Sequence, residues 1–371
     1  MAIYFLILFA VMLFAKIGQA CSVEKEVRLG HRIQIREIVP VFAVILVCAV
    51  LVFFYAARWY VGTDYGSYLR VFGNYLGVNL KEIVGTRDWG FYLLTAVIGN
   101  YVFTDFFLYS IIIGSIIYCL MIFTYRKYSS DFLMTCALYV SMCLYTSAFN
   151  GTRQTFAAAI LFAGFPLLFD KKSWWKFAVV VFIAYTFHST ALMMAPFFIL
   201  CKLKPWKKPF IFVCIILVVL IILLPGMWTT IIETLESIGQ DKMAHDYADF
   251  EELRAGVNFL RIVVAAFPVI VSYIYYPIIR RENNHIDFFI NMAVLNLLFM
   301  ICGNTLTVLA RFAMYFSIAL PILVPEFVKL FRKESRGFAK VLIWGMYLVH
   351  MIVLLPNDSH LIPYRFIFGH I

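Results

Sequence analysis

Arg153 lies in Asn150-Gly151-Thr152-Arg153-Gln154, a break between two long apolar runs. It opens a helix, where the backbone dipole repels a cation, so a positive charge kept there points to an anionic partner. Asn150 or Thr152 can cap that helix. The N–H groups of a helix start attract anions, a guanidinium adds a planar fork matched to phosphate, and Gln154 stands beside it. The plainer alternative is an arginine that snorkels to headgroups or pairs with a buried carboxylate.

The other groups that could do chemistry also sit at breaks. Arg311, in Ala310-Arg311-Phe312, follows a turn at Gly303-Asn304-Thr305 by about six residues, roughly 9 Å of helix. A charge at that depth costs about 2.5–3.5 kcal/mol on insertion scales, so it faces either a structural partner or a wet cavity. His188, in Phe187-His188-Ser189-Thr190, can exchange a proton near neutral pH or serve as a structural donor. Gly62-Thr63-Asp64-Tyr65-Gly66-Ser67-Tyr68 sets Asp64 among glycines and the aromatics Tyr65 and Tyr68, which suits a sugar-binding loop and an interfacial aromatic belt equally. In Thr86-Arg87-Asp88-Trp89-Gly90, Asp88 either caps the next helix or, with Arg87 and Arg58, orients a ligand.

These residues need positioning elements, and composition defines their class. The chain has 371 residues, of which 63% are hydrophobic and 14% charged, more apolar surface than a soluble fold can bury. It reads as an all-α, polytopic integral membrane protein with about 11–13 transmembrane or re-entrant helices. The apolar runs are continuous over about 20 residues and do not alternate, which excludes an outer-membrane barrel. The net charge of +10 falls in short clusters between runs, which argues against nucleic acid as a partner and for a lipid bilayer. The eight cysteines are scattered without a CxxC and read as small hydrophobes. No metal ligand set and no cofactor motif is expected. Residues 2–20 read as a retained first span, because the start lacks a basic n-region and Cys21 follows a poor lipobox.

The whole chain, 1–371, reads as one membrane domain. Linkers 22–38, 126–131, 171–176, 202–208, 280–285 and 332–340 carry 19 of the 31 Lys and Arg and are expected in the cytoplasm. Loops 58–90 and 229–257 are then extracytoplasmic, and the second is net acidic through Glu233, Glu236, Asp241, Asp246, Asp249, Glu251 and Glu252. Parity decides how this is possible. Every basic linker reaches one side only if 91–104 dips in and returns and 177–201 folds as a hairpin near His188. A helix of fourteen residues spans about 21 Å, short of a ~30 Å hydrocarbon core.

With that topology the chain resembles the EpsG family of polysaccharide polymerases, which is similar in role to the Wzy polymerases. The resemblance rests on Gly62-Thr63-Asp64-Tyr65 with Tyr68, Trp89-Gly90-Phe91, Thr152-Arg153-Gln154, Phe187-His188-Ser189 with Pro196, and Arg311 with Tyr315-Phe316 and Pro321. Arg153 and Gly164, with ten residues between them, also resemble an arginine–glycine pattern of Wzy outer loops. Where many members carry Glu before the Gly-aromatic pair, this chain has Asp88-Trp89.

The resemblance implies a bacterial inner-membrane glycosyltransferase with an active site on the extracytoplasmic side. Its substrates would be oligosaccharide repeat units on undecaprenyl diphosphate, joined for exopolysaccharide, capsule or O-antigen. A flippase and a chain-length regulator would be partners. Arg153 and Arg311 would grip the diphosphate leaving group, and Asp64 or His188 would take the acceptor proton. Arg58, Tyr65, Tyr68, Arg87, Asp88, Gln154 and Tyr315 would line the substrate site. Two other classes are a flippase for the same lipid-linked glycan and a membrane O-acyltransferase with His188 as base.

Overall fold

The computed structural model describes residues 1–29, 32–170, 172–220, 223, 259–282, 285–303, 307–357 and 360–369. The described residues are mostly helical, with one antiparallel hairpin, Val23–Leu29 with Arg32–Ile38, paired from Val23–Ile38 to Leu29–Arg32, and an isolated bridge between Arg58 and Phe366. The hairpin occupies part of the first basic linker, whose residues alternate apolar and charged in the period of a strand. Among the described residues five helices are long and apolar enough to cross a membrane, and six further apolar helices are shorter. The chain forms two compact units, residues 1–199 with 321–371, and residues 200–320.

In the first unit, helix Ala2–Ala20 packs on Val41–Ala56, with Gly18 pressed against Ala43 and Val39. A small residue lets two backbones approach closely in lipid. Val41–Ala56 packs against Phe106–Tyr128, which Asp105 caps by accepting the Leu108 N–H at 2.8 Å. Arg126 and Lys127 close that helix, where the dipole favours cations. The pair is antiparallel: Tyr55 meets Gly114, the Cys48 thiol meets the Tyr118 carbonyl, and Arg126 Nε donates to the Val39 carbonyl at 2.6 Å. Segment 57–105 therefore leaves and rejoins the unit at one end. The segment as a whole makes no net crossing, and both ends of helix Trp89–Tyr101 within it rest on that same segment. Phe91 packs on Tyr68, and Asn100 Oδ1 accepts the Gly77 N–H at 2.6 Å.

Helices Thr152–Gly164 and Lys176–Phe187 are also antiparallel, with Phe156 stacked on Phe187 at 4.3 Å and Gly164 against Val180. The chain breaks at His188 and continues as Thr190–Leu200, which returns Phe198 to 6.2 Å from Phe177. Residues 176–200 thus form a hairpin folded at His188. The basic linkers of this unit gather at the other end: Lys340 pairs with Asp131, and the Tyr128 ring lies 4.8 Å from Phe165.

In the second unit, helices Phe259–Glu282 and Ile286–Cys302 pack together. The first kinks at Tyr275, just before Pro277. Asn291 Nδ2 donates to the Cys201 and Leu203 carbonyls at 3.1 and 2.6 Å. The acidic stretch 229–257 and the turn residues Asn304 and Thr305 lie outside the described residues.

Two long apolar stretches of the sequence, 132–149 and 305–331, do not form single helices. Run 132–149 is Phe132–Ser141 and Ser147–Asn150, separated by a turn in which Cys143 is left-handed (φ 59°). Run 305–331 divides at Ala313 and again before Leu320.

Candidate active site

Asp88 is the centre of the arrangement. It precedes helix Trp89–Tyr101 in a left-handed conformation, φ 57° and ψ 31°, and its side chain is 1% exposed. Its Oδ1 accepts the Ser189 backbone N–H at 2.8 Å. Its Oδ2 accepts from Arg153 Nη1 at 2.9 Å and lies 3.4 Å from His188 Nδ1. One carboxylate therefore ties a helix start, a hairpin tip and a loop together. Gly90 makes the approach possible, because a Cβ there would overlap the Thr186 side chain.

Burial pushes the Asp88 carboxyl up. The His188 ring, the Ser189 amide and the Arg153 guanidinium together outweigh it and hold the carboxyl below its ordinary value. A buried carboxylate that takes several hydrogen bonds in its charged form behaves in this way.

Arg153 is held by three residues, Asp88, Tyr92 and Tyr68, but not enclosed. Its Nη1 also donates to the Tyr92 hydroxyl at 2.7 Å, and its guanidinium lies 5.6 Å from the Tyr92 ring centre. Its backbone N–H donates to the Tyr68 hydroxyl at 3.3 Å. The Tyr92 ring stacks on Tyr75 at 4.9 Å and 5°. The Arg153 side chain remains 32% exposed, so the guanidinium can still meet a ligand. His188 is 18% exposed, and with Nδ1 toward Asp88 its Nε2 is left for another partner.

Asn150 and Thr152 do not cap helix Thr152–Gly164. The cap residue is Gly151, which has no side chain. The Thr152 hydroxyl donates back to the Ala148 carbonyl at 2.8 Å, and Asn150 Oδ1 accepts the Thr63 N–H at 2.8 Å. Asn150 thereby fastens the Asp64 loop to the Arg153 helix. Gly62 is required there, because its φ is +92° and a Cβ would lie 2.6 Å from the Phe149 carbonyl oxygen. Asp88 likewise gives no cap to its helix and meets no solvent: its oxygens are committed to Ser189, Arg153 and His188.

The remaining residues divide by burial. Arg58 is 2% exposed, set among the Tyr55, Phe149 and Tyr65 rings at 3.9, 4.8 and 5.6 Å, and donates to the Tyr55 carbonyl. It supports the Arg153 helix from inside, since the Tyr55 hydroxyl lies 3.1 Å from Thr152 Oγ1. Tyr65 is buried beside it, while Asp64 and Gln154 are half-buried and Arg87 is exposed. Arg311 is exposed in the last turn of Thr307–Phe312, and Tyr315 is buried, both in the second unit. Tyr92 and Ser189 are added by the structure. Tyr92 could have been found four residues after Asp88, one turn along the same helix. Ser189 contributes a backbone amide, which residue type does not signal. Among the described residues no three His, Cys, Asp or Glu are grouped to hold a metal.

Fold and site together define a polytopic helical membrane protein in which one buried carboxylate joins a partly exposed arginine to a histidine. The family model of the EpsG family matches residues 41–366. The chain belongs to the EpsG family. Neither curated proteins nor solved structures gave a match.

Proposed function

We propose that this protein is a membrane glycosyltransferase that polymerises oligosaccharide repeat units carried on undecaprenyl diphosphate. Membership of the EpsG family is consistent with a polysaccharide polymerase. The observation that carries the reading is Arg153: a guanidinium oriented by Asp88 and Tyr92 yet 32% exposed.

In this reading the donor diphosphate binds the open side of Arg153, and His188 Nε2 faces the acceptor hydroxyl. The acceptor oxygen attacks the donor's anomeric carbon. The bond from that carbon to the diphosphate oxygen breaks, and the lipid diphosphate leaves with the electron pair. His188 takes the acceptor proton as general base, and Asp88 stabilises the imidazolium through Nδ1, as a carboxylate does in a hydrolase triad. Arg153 balances the charge growing on the leaving group. His188 is preferred to Asp64 as the base because it has a buried carboxylate behind it. The site lies at the end of the first unit away from the basic linkers, and the positive-inside rule then turns it away from the cytoplasm.

The test is Arg153→Ala and Arg153→Lys in cells that depend on this chain for polymer, with chain length read on gels and protein insertion checked. The expected result is loss of long polymer with accumulation of lipid-linked single units outside the membrane. Normal polymer from well-inserted Arg153→Ala protein would overturn the reading. Accumulation inside would favour a flippase.

A further inference from the structure

A second site lies away from the Asp88 cluster. A cavity of about 420 Å³ opens on the side of helix Phe106–Tyr128, with walls that include Cys119, Leu120, Phe123, Ala163 and Pro166 and with Lys127 at its mouth. The Thr124 hydroxyl in its wall is spent on the Leu120 carbonyl at 2.7 Å, and the Tyr128 ring lies at the Lys127 end, so the wall between is mostly apolar. From Ile116, its far end on that helix, to Lys127 is eleven residues, about 16 Å of helix. That matches one leaflet, half of a ~30 Å hydrocarbon core.

The mouth is charged. Lys127 is exposed, its ammonium lies 5.4 Å from the Tyr128 ring centre, and among the described residues no carboxylate pairs with it. Arg126 adjoins it, at the end where the basic linkers gather. An apolar slot one leaflet deep, with an unneutralised cation at its rim, is complementary to one class of molecule.

We infer that this groove binds an anionic phospholipid, with one acyl chain along Cys119, Leu120 and Phe123 and the headgroup phosphate at Lys127. Basic pockets between membrane helices hold anionic headgroups by this combination of charge and apolar depth. Lys127 reaches the headgroup level by extending its stem along the apolar wall. The inference is independent of the glycosyl-transfer reading.

The experiment uses the purified full-length protein in detergent, titrated with phosphatidylglycerol or phosphatidylcholine of equal chain length. Bound lipid is counted by native mass spectrometry and thermal unfolding is followed in parallel. The wild type is expected to prefer phosphatidylglycerol by about fivefold, the factor that one lysine at an anionic surface is worth. Lys127→Gln should remove the preference and Lys127→Arg should keep it. Ala163→Trp, which fills the wall, should reduce retention of both lipids. Equal binding of the two lipids by the wild type, or an unchanged preference in Lys127→Gln, would overturn the inference. So would displacement of phosphatidylglycerol by millimolar inorganic phosphate, which would mark a free-phosphate site.

Discussion

Arg153 Nη1 and Asp88 Oδ2 lie 2.9 Å apart although 65 residues separate them in the chain. The carboxylate is buried and the guanidinium is not, so the pair fixes a cation at the edge of a protein surface. The same oxygen lies 3.4 Å from His188 Nδ1, which makes Asp88 the positioning residue for both.

Asp88→Asn keeps an oxygen for the Ser189 amide and removes the charge. If the proposed mechanism holds, polymerisation should fall by up to about 10⁴, the drop seen when the carboxylate behind a catalytic histidine becomes an amide. Steady-state polymer synthesis with membranes of matched protein content measures it. Breaking a fully buried ion pair costs about 3–5 kcal/mol; here one partner is 32% exposed and screened, so the expected cost in stability is about 1–2 kcal/mol.

The pH dependence of that cost has a definite sign. The folded carboxyl is held below its ordinary value, so the unfolded chain takes up the proton first as pH falls. The stabilisation is complete above about pH 5 and is lost as pH drops through the folded value. The difference in Tm between wild type and Asp88→Asn should shrink as pH falls below about 4.

His188→Gln should lower turnover by about 10²–10⁴, the contribution of a general base, while leaving binding of the lipid-linked donor within about threefold, because Arg153 is untouched. A proportional loss of donor binding would instead assign His188 to ligand contact. Unchanged chain length with loss of glycan acetylation would point to an acyltransferase.

Tyr92→Phe removes the hydroxyl that accepts from Arg153 Nη1 and keeps the ring on Tyr75. A charge-assisted hydrogen bond of this kind is worth about 1.5–3 kcal/mol. Turnover should therefore drop roughly 10- to 100-fold, less than in Arg153→Ala. Side-by-side polymer assays of the two variants check the order.

Gly62→Ala must place a side chain at φ +92° against the Phe149 carbonyl, a backbone atom that cannot rotate away. The expected destabilisation is about 1–3 kcal/mol, read as a lower Tm. Gly73→Ala, where a Cβ would meet nothing within 4 Å, is the control and should leave Tm nearly unchanged.

Much of the scaffold was legible because lipid imposes simple rules. Charge clusters and a run of fourteen residues favoured a fold-back at 91–104 and a hairpin at His188; the packing shows the hairpin, while 89–101 is one unbroken helix in a segment that starts and ends at the same end of the unit. Less legible were elements without a residue-type signal. Asp88 adopts a left-handed backbone that glycine usually marks, so its reach into the 188–189 turn could not be read from its neighbours. Arg58, expected to orient a ligand, is instead buried among three rings, because cation–π contacts leave no carboxylate to search for. The 23–38 hairpin hid in plain alternation, since its charges read first as a linker.

Segment 57–105 begins and ends between two helices that already touch, and it carries Tyr68, Asp88 and Tyr92. In evolutionary terms it is a cassette. Residues can be added to it or exchanged within it without inverting any helix that follows. The part of the chain that surrounds the exposed face of Arg153 can therefore diversify while the helical frame around it stays constant.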